Sequence, residues 1–213
     1  MDFAFPKIYP ILDASVIPVT GRSEFLHRLG SSLAEAGLTL LEYRNKIGSD
    51  ADILSDAAVL RNALPSGKIK LILDDRPDLV DSCGFDGVHV DAGDLTPAQA
   101  RRVLGPSRII GTFGGGEQLV PGILDAPVDY FAIGPVFDTR TKLTDRRPIG
   151  LEGVRRLRDH SGPHVILSAA AGITLATAQA VLDAGASMVA VAEAIFKNSS
   201  PAGEFRRWAA ELR

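Results

Sequence analysis

Cysteine is almost absent from this sequence. The one residue, Cys83, excludes an intramolecular disulfide and any multi-cysteine metal site, and its DLVDSCG surroundings suit a buried spectator thiol. An excess of one charge is missing too. Against 26 Asp and Glu stand 23 Lys and Arg, a net charge of −3, so no global basic field exists to hold nucleic acid. Any anion bound here must be held by local cations or backbone N–H groups. Long apolar runs are also lacking. The opening MDFAFPKIYP has no basic region followed by an apolar stretch and does not read as a signal peptide. Residues 165–182 run for 18 positions without a charge, but the central Ala-Gly-Ile-Thr divides them into a strand, a turn and a helix start. The expectation is a soluble, cytoplasmic protein with no membrane or nucleic-acid partner. A homo-oligomer is left open.

What is present is alternation. Short apolar runs bounded by Gly, Pro, Asp or Ser fall at 7–12, 38–44, 69–74, 86–90, 108–112, 129–134, 164–168 and 187–192. Such runs fit fully buried parallel strands. Amphipathic stretches such as SEFLHRLGSSLAEAG, ADILSDAAVLRNAL and TPAQARRVLG lie between them, several opening on Ser, Thr or Asp and closing on Gly, as capped helices do. Eight βα units within 213 residues predict a single (β/α)₈ TIM barrel covering residues 1–213, with a doubly wound open sheet as the alternative. In a barrel, chemistry belongs at the C-terminal ends of the strands.

Charged residues gather at those ends. The second strand closes on Glu42, Arg44 and Lys46, which alternation puts on one side; the third supplies Asp74, Asp75 and Arg76. The fourth supplies His89, Asp91 and, a little further on, Asp94. Asp75 and Asp94 stand 19 residues apart, so their carboxylates converge if the two strands are parallel neighbours. Hard divalent cations take oxygen ligands, and Mg²⁺ typically uses one or two carboxylates plus substrate phosphates. A zinc site fits less well, with cysteine absent and His89 nearly alone. The loop after the sixth strand carries Thr139, Thr141, Lys142, Arg146 and Arg147, and reads either as a solvated loop or as a lid over an anion. Ala171-Gly172-Ile173-Thr174 and Ala192-Glu193-Ala194 open helices after the last two strands and form a candidate phosphate cup.

EYRNK, LILDDR, DGVHVDAGDL, RIIGT, DYFAIGPVFDTRTK and AAAGIT together resemble the thiamine-phosphate synthase family over nearly the whole chain. The most specific pieces are GPVF followed by Thr139-x-Thr141-Lys142, and the DGVH…D spacing. The resemblance implies a (β/α)₈ barrel that joins an aminopyrimidine-methyl diphosphate to a thiazole phosphate, releasing pyrophosphate by a dissociative, Mg²⁺-assisted substitution. Residue by residue it implies Asp75 and Asp94 as Mg²⁺ ligands and Arg44, Lys46 and Lys142 as the diphosphate clamp. Thr139, Thr141 and Gly172 become thiazole-phosphate contacts, and Glu42, Asp74, His89, Phe113, Ala171 and Glu193 become further substrate-facing positions. The family usually has Gln, Asn and Ser where this chain has Glu42, Asp74 and Glu193, so three neutral groups are exchanged for acids. Phe113 stands for Ser, and Ala171 for the first of two glycines. The alternatives are a thiazole tautomerase-like paralogue, a transferase whose acceptor carries no phosphate, and a non-catalytic barrel that binds a thiamine precursor.

Overall fold

A computed structural model of the chain describes residues 3–91, 95–138 and 146–212. Eight parallel strands close on themselves in sequence order: β1 (Ile8–Asp13), β2 (Leu40–Arg44), β3 (Lys70–Asp74), β4 (Gly87–Val90), β5 (Ile109–Gly115), β6 (Tyr130–Ile133), β7 (Leu167–Ala170) and β8 (Met188–Val191). Outside them lie α1 (Arg22–Glu35), α2 (Asp50–Ala63), the single turn α3 (Val80–Cys83), α4 (Pro97–Leu104), α5 (Gly150–Ser161), α6 (Leu175–Asp183), the single turn α7 (Glu193–Phe196) and α8 (Pro201–Glu211). The helix starts follow from local chemistry. Ser49 with Asp52, and Thr96 with Gln99, form reciprocal caps that satisfy N–H groups otherwise left unpaired at the start of α2 and α4.

Alternation along each strand sorts side chains into two cores. Leu41, Tyr43, Leu71, Leu73, Val88, Ile110 and Val189 point outward and pack under the helices. Tyr9, Leu40, Ile72, Ile109, Tyr130 and Met188 point inward and fill the barrel. Trp208 is buried in α8, its Nε1 donating to Glu204 at 3.0 Å, which makes it a packing residue.

The barrel departs from the regular alternation of the sequence reading in two places. Residues 116–129 contain Pro121, Gly122 and Pro127, and between β5 and β6 the chain forms only the 3-10 turn Ile123–Asp125 in place of an α-helix. The seventh strand starts at Leu167, not at 164, because the Arg158 guanidinium bonds the Gly162 and Val165 carbonyls (2.6 and 2.8 Å) and holds that stretch as a loop.

Candidate active site at the barrel mouth

The inward positions near the C-terminal strand ends are polar where those below are apolar. Register sets them side by side: Asp74 pairs with His89, His89 with Gly111, and Gly111 with Tyr130. Gly111 is what lets this row close up. A Cβ there would fall 2.0 Å from the Tyr130 ring, so only glycine leaves the phenol free to reach over β5 toward His89.

The result is a chain of buried hydrogen bonds. Tyr9 donates its hydroxyl proton to Glu42 Oε2 at 2.6 Å, and the Tyr9 and Tyr130 hydroxyls lie 2.8 Å apart. Since a phenol has one proton, Tyr130 is the donor to Tyr9, and His89 Nδ1, 3.0 Å from the Tyr130 hydroxyl, is the donor to Tyr130. His89 Nε2 faces Asp91 Oδ1 at 3.8 Å. Burial pushes the Glu42 carboxyl up to about 7; neighbouring His89 and the Tyr9 hydrogen bond pull it down, and the Asp74 and Asp91 charges add to the rise. Burial favours neutral His89, but the Asp91 hydrogen bond and the charges of Glu42, Asp91 and Asp74 outweigh it and raise the imidazole above its ordinary value.

One layer higher, cations and acids alternate. Arg44 is paired with Asp13, and its Nε lies 3.6 Å from Asp74 Oδ2. Lys46 Nζ lies 2.9 Å from the same oxygen and also pairs with Asp75. The position of Lys46 is supported from outside the barrel. Buried Asp56 on α2 accepts two bonds from the Arg22 guanidinium (2.8 and 2.6 Å) and one from Tyr43, whose hydroxyl accepts from Asn45 at 3.0 Å. Asn45 Oδ1 in turn accepts from the Gly48 N–H at 2.8 Å, knotting the turn in which Lys46 stands. Asp75 has φ 63°, a left-handed conformation that Asp tolerates better than most residues, and its Oδ1 accepts from the Asp91 N–H at 3.4 Å.

These groups border a cavity of about 360 Å³ lined by Glu42, Arg44, Asp74, His89, Phe113 and Ala171 among the expected site residues, together with Tyr9, Asp91, Tyr130, Arg146 and Ser168. The Arg146 guanidinium lies over the Phe113 ring at 3.9 Å. Lys46 and Glu193 line an adjoining pocket of about 250 Å³ between the ends of β1, β2 and β8. Glu193 there accepts from Lys197 Nζ at 2.6 Å, so its charge is matched within its own helical turn. Beyond β7, Ala171 and Gly172 both have positive φ (74° and 68°) and turn the chain into α6. A Cβ on Gly172 would meet the Asp138 carbonyl oxygen at 2.5 Å, so the turn is specific for glycine on two counts. Asp94, Thr139, Thr141 and Lys142 lie outside the described residues.

The sequence reading passed over Tyr9, Tyr130 and Ser168, which sit within apolar runs of fully buried strands. Their signal is positional: each has the inward parity of its strand and carries a hydroxyl where an aliphatic side chain would pack.

Comparison with known proteins bears on the whole chain. The family model described as thiamine monophosphate synthase matches residues 8–195. The thiamine-phosphate synthase of Koribacter versatilis is 40% identical over 186 residues, 87% of each chain, and that of Agrobacterium fabrum is 36% identical over 194 residues, 90% of this chain and 86% of the relative. Among solved structures, the thiamine phosphate pyrophosphorylase of Pyrococcus furiosus superposes with a TM-score of 0.77 at 24% identity, over 96% of this chain and 94% of its own. At that identity the likeness speaks for the fold alone, as does the orotidine 5'-phosphate decarboxylase of Pyrococcus horikoshii (TM-score 0.63, 14% identity, 97% of this chain and 99% of its own).

Proposed function

Because this chain belongs to the thiamine monophosphate synthase family, a family of transferases, we propose that it joins an aminopyrimidine-methyl diphosphate to a thiazole phosphate, releases pyrophosphate and uses Mg²⁺ to do so. The observation that carries the reading is the meeting of Arg44, Lys46, Asp74 and Asp75 at the ends of β2 and β3, beside a cavity large enough for a planar ring.

The donor chemistry fits a hard divalent cation. Asp75 offers carboxylate oxygens at a strand end, aimed toward the end of β4 by its left-handed backbone, and Asp94 joins it in this proposal from the sequence alone. Charge balance points the same way. Asp13, Asp74 and Asp75 outnumber Arg44 and Lys46, so these described strand ends alone repel a diphosphate. When bound, Mg²⁺ neutralises charge on the leaving pyrophosphate.

The chain's own residues supply the rest. Arg44 and Lys46, held in place by carboxylates and by the Asn45 turn, grip diphosphate oxygens, with Lys142 as a third cation. The methylene C–O bond breaks and its electron pair leaves with pyrophosphate; the thiazole nitrogen then places its lone pair on the methylene carbon to form the C–N bond. Glu42 as a carboxylate accepts an N–H of the aminopyrimidine and feeds electron density to the developing cation. Bound substrates that fill the mouth cavity keep water from capturing it. No protein nucleophile is required, and Cys83 is no candidate: it is buried behind β3, where burial pushes its thiol up to about 11. Thiazole phosphate is assigned to the Gly172 turn and the start of α6, with Thr139 and Thr141. The pairing of Glu193 with Lys197 offsets its charge and supports a phosphate-bearing acceptor over one without phosphate. Among the described residues no helix is long and apolar enough to cross a membrane, and a cytoplasmic enzyme fits the reading.

Calorimetric titration tests it. Thiazole phosphate and Mg²⁺-pyrophosphate should each bind the purified protein. Binding of Mg²⁺-pyrophosphate without thiazole phosphate would mean a different acceptor, and binding of neither would end the proposal.

A further inference from the structure

We propose that the Ser168 hydroxyl is a substrate contact, donating a hydrogen bond from the wall of the mouth cavity to a ring nitrogen of the aminopyrimidine. The inference rests on the synthase reading above and extends it to a residue with no role in that reading.

Ser168 lies on the inward face of β7 with 1% of its surface exposed, and it lines the cavity. Its Oγ has no hydrogen-bond partner among the described residues. A buried hydroxyl without a partner opposes folding, and packing gives no reason to keep it. Its register partners are Ala132 on β6 and Met188 on β8, and Ala170 and Ala190 line the same side of the cavity. An alanine at 168 would match those walls and leave nothing unpaired. The hydroxyl is the polar group on this part of the cavity wall, beside Ala132, Ala170 and Ala190.

The donor inventory says what the hydroxyl is for. An aminopyrimidine presents N–H donors on its exocyclic amine and lone pairs on its two ring nitrogens. Acceptors for the amine are plentiful in the cavity: the carboxylates of Glu42, Asp74 and Asp91. Donors for the ring nitrogens are not, because most are already spoken for. Tyr9 donates to Glu42, Tyr130 to Tyr9, and His89 Nδ1 to Tyr130. Arg44 is held by Asp13 and Asp74, and Arg146 lies flat on Phe113. Ser168 has an O–H with no partner among the described residues, on β7, across the barrel from the carboxylates at the ends of β2 to β4.

The test is Ser168→Ala, titrated calorimetrically with aminopyrimidine-methyl diphosphate in the presence of Mg²⁺, and separately with Mg²⁺-pyrophosphate. Loss of one net hydrogen bond predicts roughly 2- to 12-fold weaker binding of the pyrimidine and unchanged binding of pyrophosphate. Melting temperature should stay the same or rise, since an unpaired buried group has been removed. Of two analogues, each with one ring nitrogen replaced by C–H, one should bind wild type and variant equally. Equal pyrimidine affinity in the two proteins would overturn the proposal, as would a matching loss for pyrophosphate or a lowered melting temperature. Failure of the synthase reading looks different: wild type itself then fails to take the pyrimidine diphosphate, and both readings fall together.

Discussion

Replacing Glu42 by Gln should flatten the dependence of stability on pH. Glu42 is 4% exposed, and burial, with the charges of Asp74 and Asp91 adding, holds its carboxyl near 7 against an ordinary value of 4.5. Below pH 4.5 the carboxyl is neutral in both the folded and the unfolded chain and favours neither. Between 4.5 and about 7 the unfolded chain releases the proton while the folded one keeps it, so stability falls as pH rises, and above 7 the loss is complete. That gap corresponds to roughly 3 kcal/mol. His89, also raised, acts in the same direction: its contribution is present at low pH and is lost as pH rises through its folded value. In a chain of this size 1 kcal/mol moves Tm by about 2–4 °C. The Tm of wild type minus that of E42Q should therefore drop by about 5–10 °C between roughly pH 5 and pH 8, part of the change having already occurred by pH 5. Thermal unfolding followed by circular dichroism at constant ionic strength measures this, and taking the difference cancels the fixed effect of the exchange. Parallel curves for the two proteins would refute the assignment of a proton-holding carboxyl to Glu42.

Three further outcomes are expected. Asp75→Asn keeps a side chain that tolerates the left-handed backbone, so the fold should survive, while Mg²⁺-dependent turnover should fall by more than the roughly 10–100-fold that outer-shell changes cost at metal sites; a smaller loss would remove Asp75 from the metal assignment. Asp56→Ala strips the partner from Arg22 and Tyr43 and should cost about 3 kcal/mol of stability by denaturant titration. By loosening the Asn45 turn it should also weaken Mg²⁺-pyrophosphate binding more than thiazole-phosphate binding. Glu193→Ser should leave thiazole-phosphate affinity within about twofold, since Lys197 offsets the carboxylate and solvent screens both groups; marked tightening would mean that the carboxylate does repel the phosphate.

The barrel was legible because its signals are local. Apolar runs bounded by breakers, spaced for intervening helices, are a property of neighbours in sequence, and all eight strands came from them. Where tertiary contacts decided, the reading slipped. Nothing in SGPHVILS announces that Arg158 will bond the Gly162 and Val165 carbonyls and delay β7. The charged part of the site was legible for the same reason as the strands: Glu42, Arg44, Asp74 and Asp75 stand at strand ends, where alternation and topology suffice to bring them together. Its hydroxyl part was not. Tyr9 and Tyr130 look like ordinary core aromatics in sequence, and only the register that sets Gly111 between His89 and Tyr130 turns them into a relay. Glu193 reads in sequence as an acid at a phosphate cup, and the structure adds its partner Lys197, one helical turn on, which the strand-end pattern does not announce.

The most direct test of the central claim is turnover. Purified protein given aminopyrimidine-methyl diphosphate, thiazole phosphate and Mg²⁺ should release pyrophosphate and form the C–N-coupled phosphate in equal amounts, and chelation of Mg²⁺ should stop both. Pyrophosphate release without coupled product, or no reaction although both substrates bind, would contradict the account.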